Sequence, residues 1–219
     1  TSSNTCRQDF SGTHVKYGGG FPVDELEVWW TGPSPHFPNS ALIPDAATGA
    51  RITGWIGEGD ASHDPDQVWA RCYSKAGDAH TSAAFHAKCD GKGPTVTVAK
   101  LSTGKLVGGY AAVSWDVRLN DLKPDPNPLG LRGDGLHKNV ESEKSFIFSL
   151  TNEHRHDYQK LTHPNDPLWS VKQHPTMKSL KQYGPYFGDG DFYLNSNMDI
   201  ERCNIGNAYA CRVGADTHV

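Results

Sequence analysis

Apolar and polar positions alternate most clearly in FPVDELEVWW (21–30), where acids separate most of Val23, Leu26, Val28 and Trp30. A period of two marks a strand, so this stretch is predicted as a strand that must find neighbours to pair with. VWARCY (68–73), TVTVAKL (95–101) and KLVGGYAAVSW (105–115) carry the same signal. Ser102-Thr103-Gly104 has turn chemistry and joins the last two into a hairpin. KSFIFSLT (144–151) is mostly apolar and is predicted as a central strand, and FGDGDFYLN (187–195) as a glycine turn and a strand. Two stretches fit a helical period. Leu42, Ile43, Ile52, Trp55 and Ile56 predict a short amphipathic helix within 40–57 that ends near Gly57. HTSAAFHAKCDG (80–91) predicts a second helix, with Thr81 or Ser82 as N-cap and Gly91 as stop. Residues 1–20, 31–40, 58–67, 117–140, 152–182 and 196–219 are polar, glycine-rich or proline-rich and are predicted as connections.

Short strands with few helices place the chain in a mainly β (α+β) class. The architecture expected is a two-sheet antiparallel β-sandwich flanked by a few short helices. The 23 glycines and 14 prolines are spread along all 219 residues, as a loop-rich β fold requires. Every strand needs the others to close a sheet, so residues 1–219 are expected to form a single domain. A hydrophobic content of 36% and a charged content of 21% are those of a chain able to bury a core. Net charge is −4 with no basic run, which argues against nucleic-acid binding. No apolar run reaches the length of a membrane span. The Thr-Ser-Ser start reads as a processed terminus and, with five cysteines, favours an extracellular or secretory-pathway location. No Cys-x-x-Cys is present, and an odd count allows two disulfides with one thiol left over.

Several residues could carry chemistry, and each has a plainer reading. Glu25 and Glu27 share a strand face and could serve as paired carboxylates in a hydrolase; the plainer reading is a solvated face. His154 and His156 with Asp157, and further on His163 and His174, form the densest ligand-type cluster. A His-x-His pair in an extended segment could hold zinc or copper, or the segment is a polar surface loop. Asp189 and Asp191 in GDGD could bind calcium, as could Glu58, Asp60, Asp64 and Asp66; a glycine turn and an acidic loop are the alternatives. No cofactor is expected beyond calcium or zinc. His86 and Cys89 would share a helical face, so a thiolate beside a histidine could be nucleophilic or peroxide-reactive, against a buried structural thiol. No Walker loop and no Gly-x-Ser-x-Gly elbow occurs.

FHAKCDGKGPTVTVAKLSTGKLVGGYAAVSW (85–115) resembles the centre of a TLDc domain. EKSFIFSLTN (143–152), YGPYFGDGDFYL (183–194) and ERCNIGNAYAC (201–211) are similar to later segments of that family, in the same order. WARCYSKAGD (69–78) matches more loosely, because the family's Ser-Arg-Asp-Gly-Phe step is degraded here. The resemblance spans most of 40–211. It implies that the family's closing strand, roughly Phe-x-Val-x-Glu-Ile-Glu-Val-Trp, stands here at 21–30 instead of at the C-terminal end. Three explanations stay open. The chain closes on itself by circular permutation, it is excised from a tandem array with 1–30 left over from a preceding copy so that the strand can be exchanged in a swapped dimer, or the match is a coincidence of a short apolar motif. The resemblance also places Cys89 in a family turn, as a buried free thiol. It leaves Cys6, Cys72, Cys203 and Cys211 for two bridges in any of three pairings, and a bridge from Cys6 to Cys203 or Cys211 would tie the N-terminal segment to the C-terminal one. The function expected is a secreted, non-catalytic recognition module for a protein or glycan, in defence or stress protection, with Trp29, Trp30 and Trp169 as ligand-contacting aromatics. The alternatives are an enzyme, or a family-type oxidation-resistance protein that binds the vacuolar proton-pumping ATPase.

Overall fold

A computed structural model describes residues 22–35, 37–43, 45–61, 63–64, 67–115, 123–124, 136–140, 142–158, 177–179, 182–188, 190–203 and 209–211. The described chain is mainly β, in two antiparallel sheets with two short helices. The larger sheet has seven strands: β1 (Val23–Pro35), β2 (Val68–Ser74), β3 (Thr95–Leu101), β4 (Leu106–Ala111), β7 (Phe146–Ser149), β8 (His154–Tyr158) and β13 (Tyr209–Cys211). They lie in the order β13-β8-β7-β4-β3-β1-β2. The smaller sheet runs β12-β11-β10-β9-β6-β5. Its strands are β5 (Lys123–Pro124), β6 (Leu136–Val140), β9 (Met177–Ser179), β10 (Tyr186–Phe187), β11 (Phe192–Leu194) and β12 (Ile200–Cys203). The helices are α1 (Ala46–Gly59) and α2 (Ser82–Cys89).

The first strand finds its neighbours within the same chain. β1 lies between β2 and β3, with Glu27 opposite Ser74 on one side and Val98 on the other. It is buried on both faces, which its alternating acids do not suggest. Leu26 and Val28 enter a core shared with Phe187, Phe192, Leu194 and Ile200 of the smaller sheet. Trp29 enters a second core with Val96, Val98, Phe148 and the α1 residues Ile52 and Ile56. The molecule therefore stacks α1 on the seven-stranded sheet, and that sheet on the six-stranded one. Covering both faces of one sheet leaves β3 and β7 almost wholly buried.

Close approach of the sheets depends on β4. A side chain at Gly109 would place its Cβ 2.6 Å from the Phe187 ring, and one at Gly108 would meet the Thr97 carbonyl at 2.1 Å. The Gly-Gly pair thus lets the smaller sheet's phenylalanine sit on the backbone of the larger.

Some boundaries differ from expectation. The first helix starts at Ala46, after Pro44, with Asp45 as its N-cap accepting from the Thr48 amide at 2.7 Å. Leu42 and Ile43 precede it and pack from an irregular segment. The second helix is trimmed to 82–89, with Thr81 as cap. β4 stops at Ala111, and Trp115 is buried beyond the strand, donating through Nε1 to Thr95 Oγ1 at 2.8 Å. The expectation that 31–40, 117–140, 152–182 and 196–219 are connections is overturned in part, because β1 runs on to Pro35 and the other three segments contain β5 and β6, β8 and β9, and β12 and β13. His154–Tyr158 forms β8, paired with β7 and β13.

Candidate functional site

Glu27 is 1% exposed, so the reading of its face as solvated is overturned. The carboxylate accepts from the Ala41 amide at 3.1 Å, Arg71 Nη1 at 3.0 Å and Trp29 Nε1 at 3.3 Å, and the Ser40 hydroxyl also donates to it. Ser40 Oγ in turn accepts from the amides of Leu42 and Ile43. Burying a carboxylate is tolerable only with such donors. The cluster fastens the segment 37–43 onto the sheet. All four donors tie the carboxylate to structural groups, and its neighbour Glu25 is only half-buried. Trp29 is likewise in the core, edge-on to Phe37 with the Arg71 guanidinium over its ring. Its expected role in contacting a ligand is therefore corrected.

α2 has the inward stripe Ser82, Phe85, His86, Cys89. That stripe straps the two sheets together. Cys89 is disulfide-bonded to Cys72 of β2, 17 residues away. The expected free thiol at Cys89 is thus overturned, and with it a pairing of Cys72 to Cys6, Cys203 or Cys211. A disulfide sulfur is no thiolate, so the peroxide-reactive dyad has no nucleophile in this state. His86 is 2.8 Å from the Asp90 carboxylate through Nδ1 and 2.8 Å from the Tyr183 carbonyl through Nε2. A carbonyl only accepts, so Nε2 donates to it, and both ring nitrogens are committed. The helix start is tied to the smaller sheet as well, by the Ser82 amide to the Ser196 carbonyl at 2.9 Å.

A third clasp was not apparent in the sequence. Lys75, 8% exposed, donates to Asp199 Oδ1 at 2.7 Å and to the Val23 carbonyl at 2.8 Å. Asp199 also receives the Val23 amide at 3.1 Å, so the start of β1 and the β11–β12 turn are held by one ion pair. Nothing in either local pattern pairs a lysine at 75 with an acid 124 residues on.

His156 is buried on β8 and His154 is half-buried. Burial, reinforced by His154 and opposed by Asp157, pushes His156 down to about 4. Arg155, on the opposite face, donates to Asp157 and Glu58 and lies over the Phe146 ring. His163 and His174 lie outside the described residues. No group of three His, Cys, Asp or Glu side chains able to hold a metal occurs among the described residues. Asp191 is fully buried beneath the glycine turn. At Gly188, where φ is +67°, an added Cβ would come within 2.1 Å of its carboxylate. Asp189 lies outside the described residues, as do Asp66, Cys6 and Trp169. Among the described acids of the other loop, Asp60 pairs with Lys144 at 2.7 Å and Glu58 with Arg155 at 3.2 Å.

One predicted ligand-contacting residue stays at the surface. Trp30, opposite Thr95 at the start of β3, is half-buried, and the Lys92 ammonium lies 4.9 Å from its ring centre. The turn that stops α2 positions the lysine. Gly91 N donates to the Trp115 carbonyl at 3.0 Å and Lys92 N to the Cys89 carbonyl at 3.3 Å. An indole with a cation on its face combines an apolar plane with a hydrogen-bond donor at one spot.

No described helix is long and apolar enough to cross a membrane. No protein-family model, no curated protein and no solved structure matches the chain.

Proposed function

We propose that the chain is a secreted, non-catalytic TLDc-like module that recognises a protein or a glycan. The observation that carries this reading is the Trp30–Lys92 pair, an aromatic plane and a cation held together at the end of the larger sheet. Aromatic planes with adjacent hydrogen-bond donors are a common way to bind sugars and peptide side chains. The fates of the candidate catalytic groups support it. Glu27, His86 and Cys89 are each engaged in holding elements together. The Cys72–Cys89 bridge favours an oxidising compartment over the intracellular setting of vacuolar-ATPase binding.

The test is a glycan array and a cross-linking pull-down from extracellular fluid, each run with the wild type and with Trp30→Ala. Binding that drops about tenfold or more in the variant, with its melting temperature unchanged, supports the reading. Binding that survives Trp30→Ala and Lys92→Ala alike would move the site elsewhere. A hydrolytic activity lost in a folded Glu27→Gln protein would replace recognition with catalysis.

A further inference from the structure

Two buried polar atoms without a hydrogen-bond partner lie on neighbouring rings. Trp69 is 0% exposed, and its Nε1 has no hydrogen-bond partner. His63 Nε2 is also shielded and also has none. The two rings are neighbours, with centroids 6.4 Å apart. Trp69 is also stacked on Phe37, with ring centroids 5.4 Å apart. Buried polar atoms in native proteins nearly always have partners, so two orphans on adjacent rings call for a shared explanation.

Their chemistry is complementary. An indole N–H can only donate. Burial lowers His63 below its ordinary value, against the pull of Asp60 and Asp64. The ring is then neutral, and Nε2 can serve as an acceptor. A molecule placed between them must accept from Trp69 and donate to His63. It must also be small, because Trp69 is closed in by Phe37 and the core around it. One hydroxyl group meets both demands. A water with two ordinary hydrogen bonds at its tetrahedral angle bridges nitrogens about 4.5–5 Å apart, a span that two rings with centroids 6.4 Å apart can present.

We infer that His63 and Trp69 form an internal binding site for a single water molecule, which bridges Nε1–H of Trp69 to Nε2 of His63. The bridge ties the loop after α1 to the edge strand β2. His63 is already folded into that loop by its amide, which donates to the Asp60 carbonyl at 2.9 Å. The water therefore completes an attachment that the backbone begins.

The test is water-selective NMR on the intact protein. The Trp69 indole proton is assigned through its contacts with the Phe37 ring. It is expected to show a cross-peak to a water with a residence time longer than that of surface hydration. His63→Gln, whose side-chain oxygen still accepts, should keep the cross-peak. His63→Phe, which cannot accept, should lose it, with far-UV dichroism unchanged in both. A nitrogen–nitrogen coupling between Trp69 and His63 would show a direct hydrogen bond and overturn the site. So would an indole proton with no bound-water cross-peak in the wild type, or a cross-peak that persists in His63→Phe.

Discussion

The two helices are attached to the same sandwich by different means. α1 has fourteen residues and an Ile52/Ile56 stripe that is wholly buried against the larger sheet. Its hold is mainly apolar area, helped by an Asp45 cap. α2 has eight residues, too few to be stable alone. Phe85 is the large apolar side chain it contributes to the core. The rest of its hold is discrete: a disulfide to β2, a histidine bonded on both nitrogens, and an amide bonded to Ser196. A long helix can rely on diffuse packing, whereas a short one between two sheets needs point attachments.

The sharpest contrast comes from removing one attachment of each kind. Ile56→Ala should cost about 2–5 kcal/mol, read as a lower denaturant midpoint, with amide protection falling across the whole domain. Cys72→Ala with Cys89→Ala should cost about 3 kcal/mol, given the short loop the bridge closes. Hydrogen exchange should then rise first in α2 while α1 stays protected. Equal loss in both helices would break the distinction. Acid provides a control outside either helix. His156 is held at about 4 against an ordinary 6.5, so the unfolded chain binds a proton in that window and the folded chain does not. Stability present above about pH 6.5 should be lost as pH falls towards 4, by on the order of 3 kcal/mol. His156→Gln should flatten that part of the pH profile. His86→Leu should cost about 1–3 kcal/mol, because the Tyr183 carbonyl and the Asp90 carboxylate lose a partner. The effect should again centre on α2. Smallest are the caps. Asp45→Ala and Thr81→Ala should each cost about 1 kcal/mol, with the fractional loss of helix protection larger for the shorter helix.

The parts of the fold carried by local pattern could be read directly. β3 falls at residues 95–101 as predicted, and the hairpin into β4 is in place, because a Ser-Thr-Gly turn and flanking β-branched residues are contiguous signals. β8 could not be read this way. HRHDY is polar at every position, and what makes it a strand is tertiary: a neutral buried histidine on one face, and on the other an arginine over Phe146 that is also hydrogen-bonded to α1. Glu27 misled for the same reason. An acid in an alternating strand reads as solvated until Ser40, Ala41 and Arg71 are brought to it from elsewhere. The disulfide partner was open to inference from one sign only. Ser82, Phe85, His86 and Cys89 recur at helical spacing, which turns Cys89 inward. Cysteine counting cannot show which thiol waits there. Among the binding candidates, Trp29 and Trp30 are adjacent in sequence, and a strand sends them to opposite sides. Only their surroundings decide that the first is core and the second reaches the surface.

The Lys75–Asp199 clasp also bears on how the chain comes to be folded. The backbone of Val23 is bonded to a carboxylate 176 positions later. During synthesis β1 can meet β2 and β3 early, since both follow within the next eighty residues. Until Asp199 has left the ribosome, however, the Lys75 ammonium lacks its counter-charge and the opening of β1 lacks its anchor. Contacts this distant in sequence are slow to form, because a long loop must close first. Nascent chains stalled just short of residue 199 should therefore exchange the Val23 amide faster than full-length released chains do.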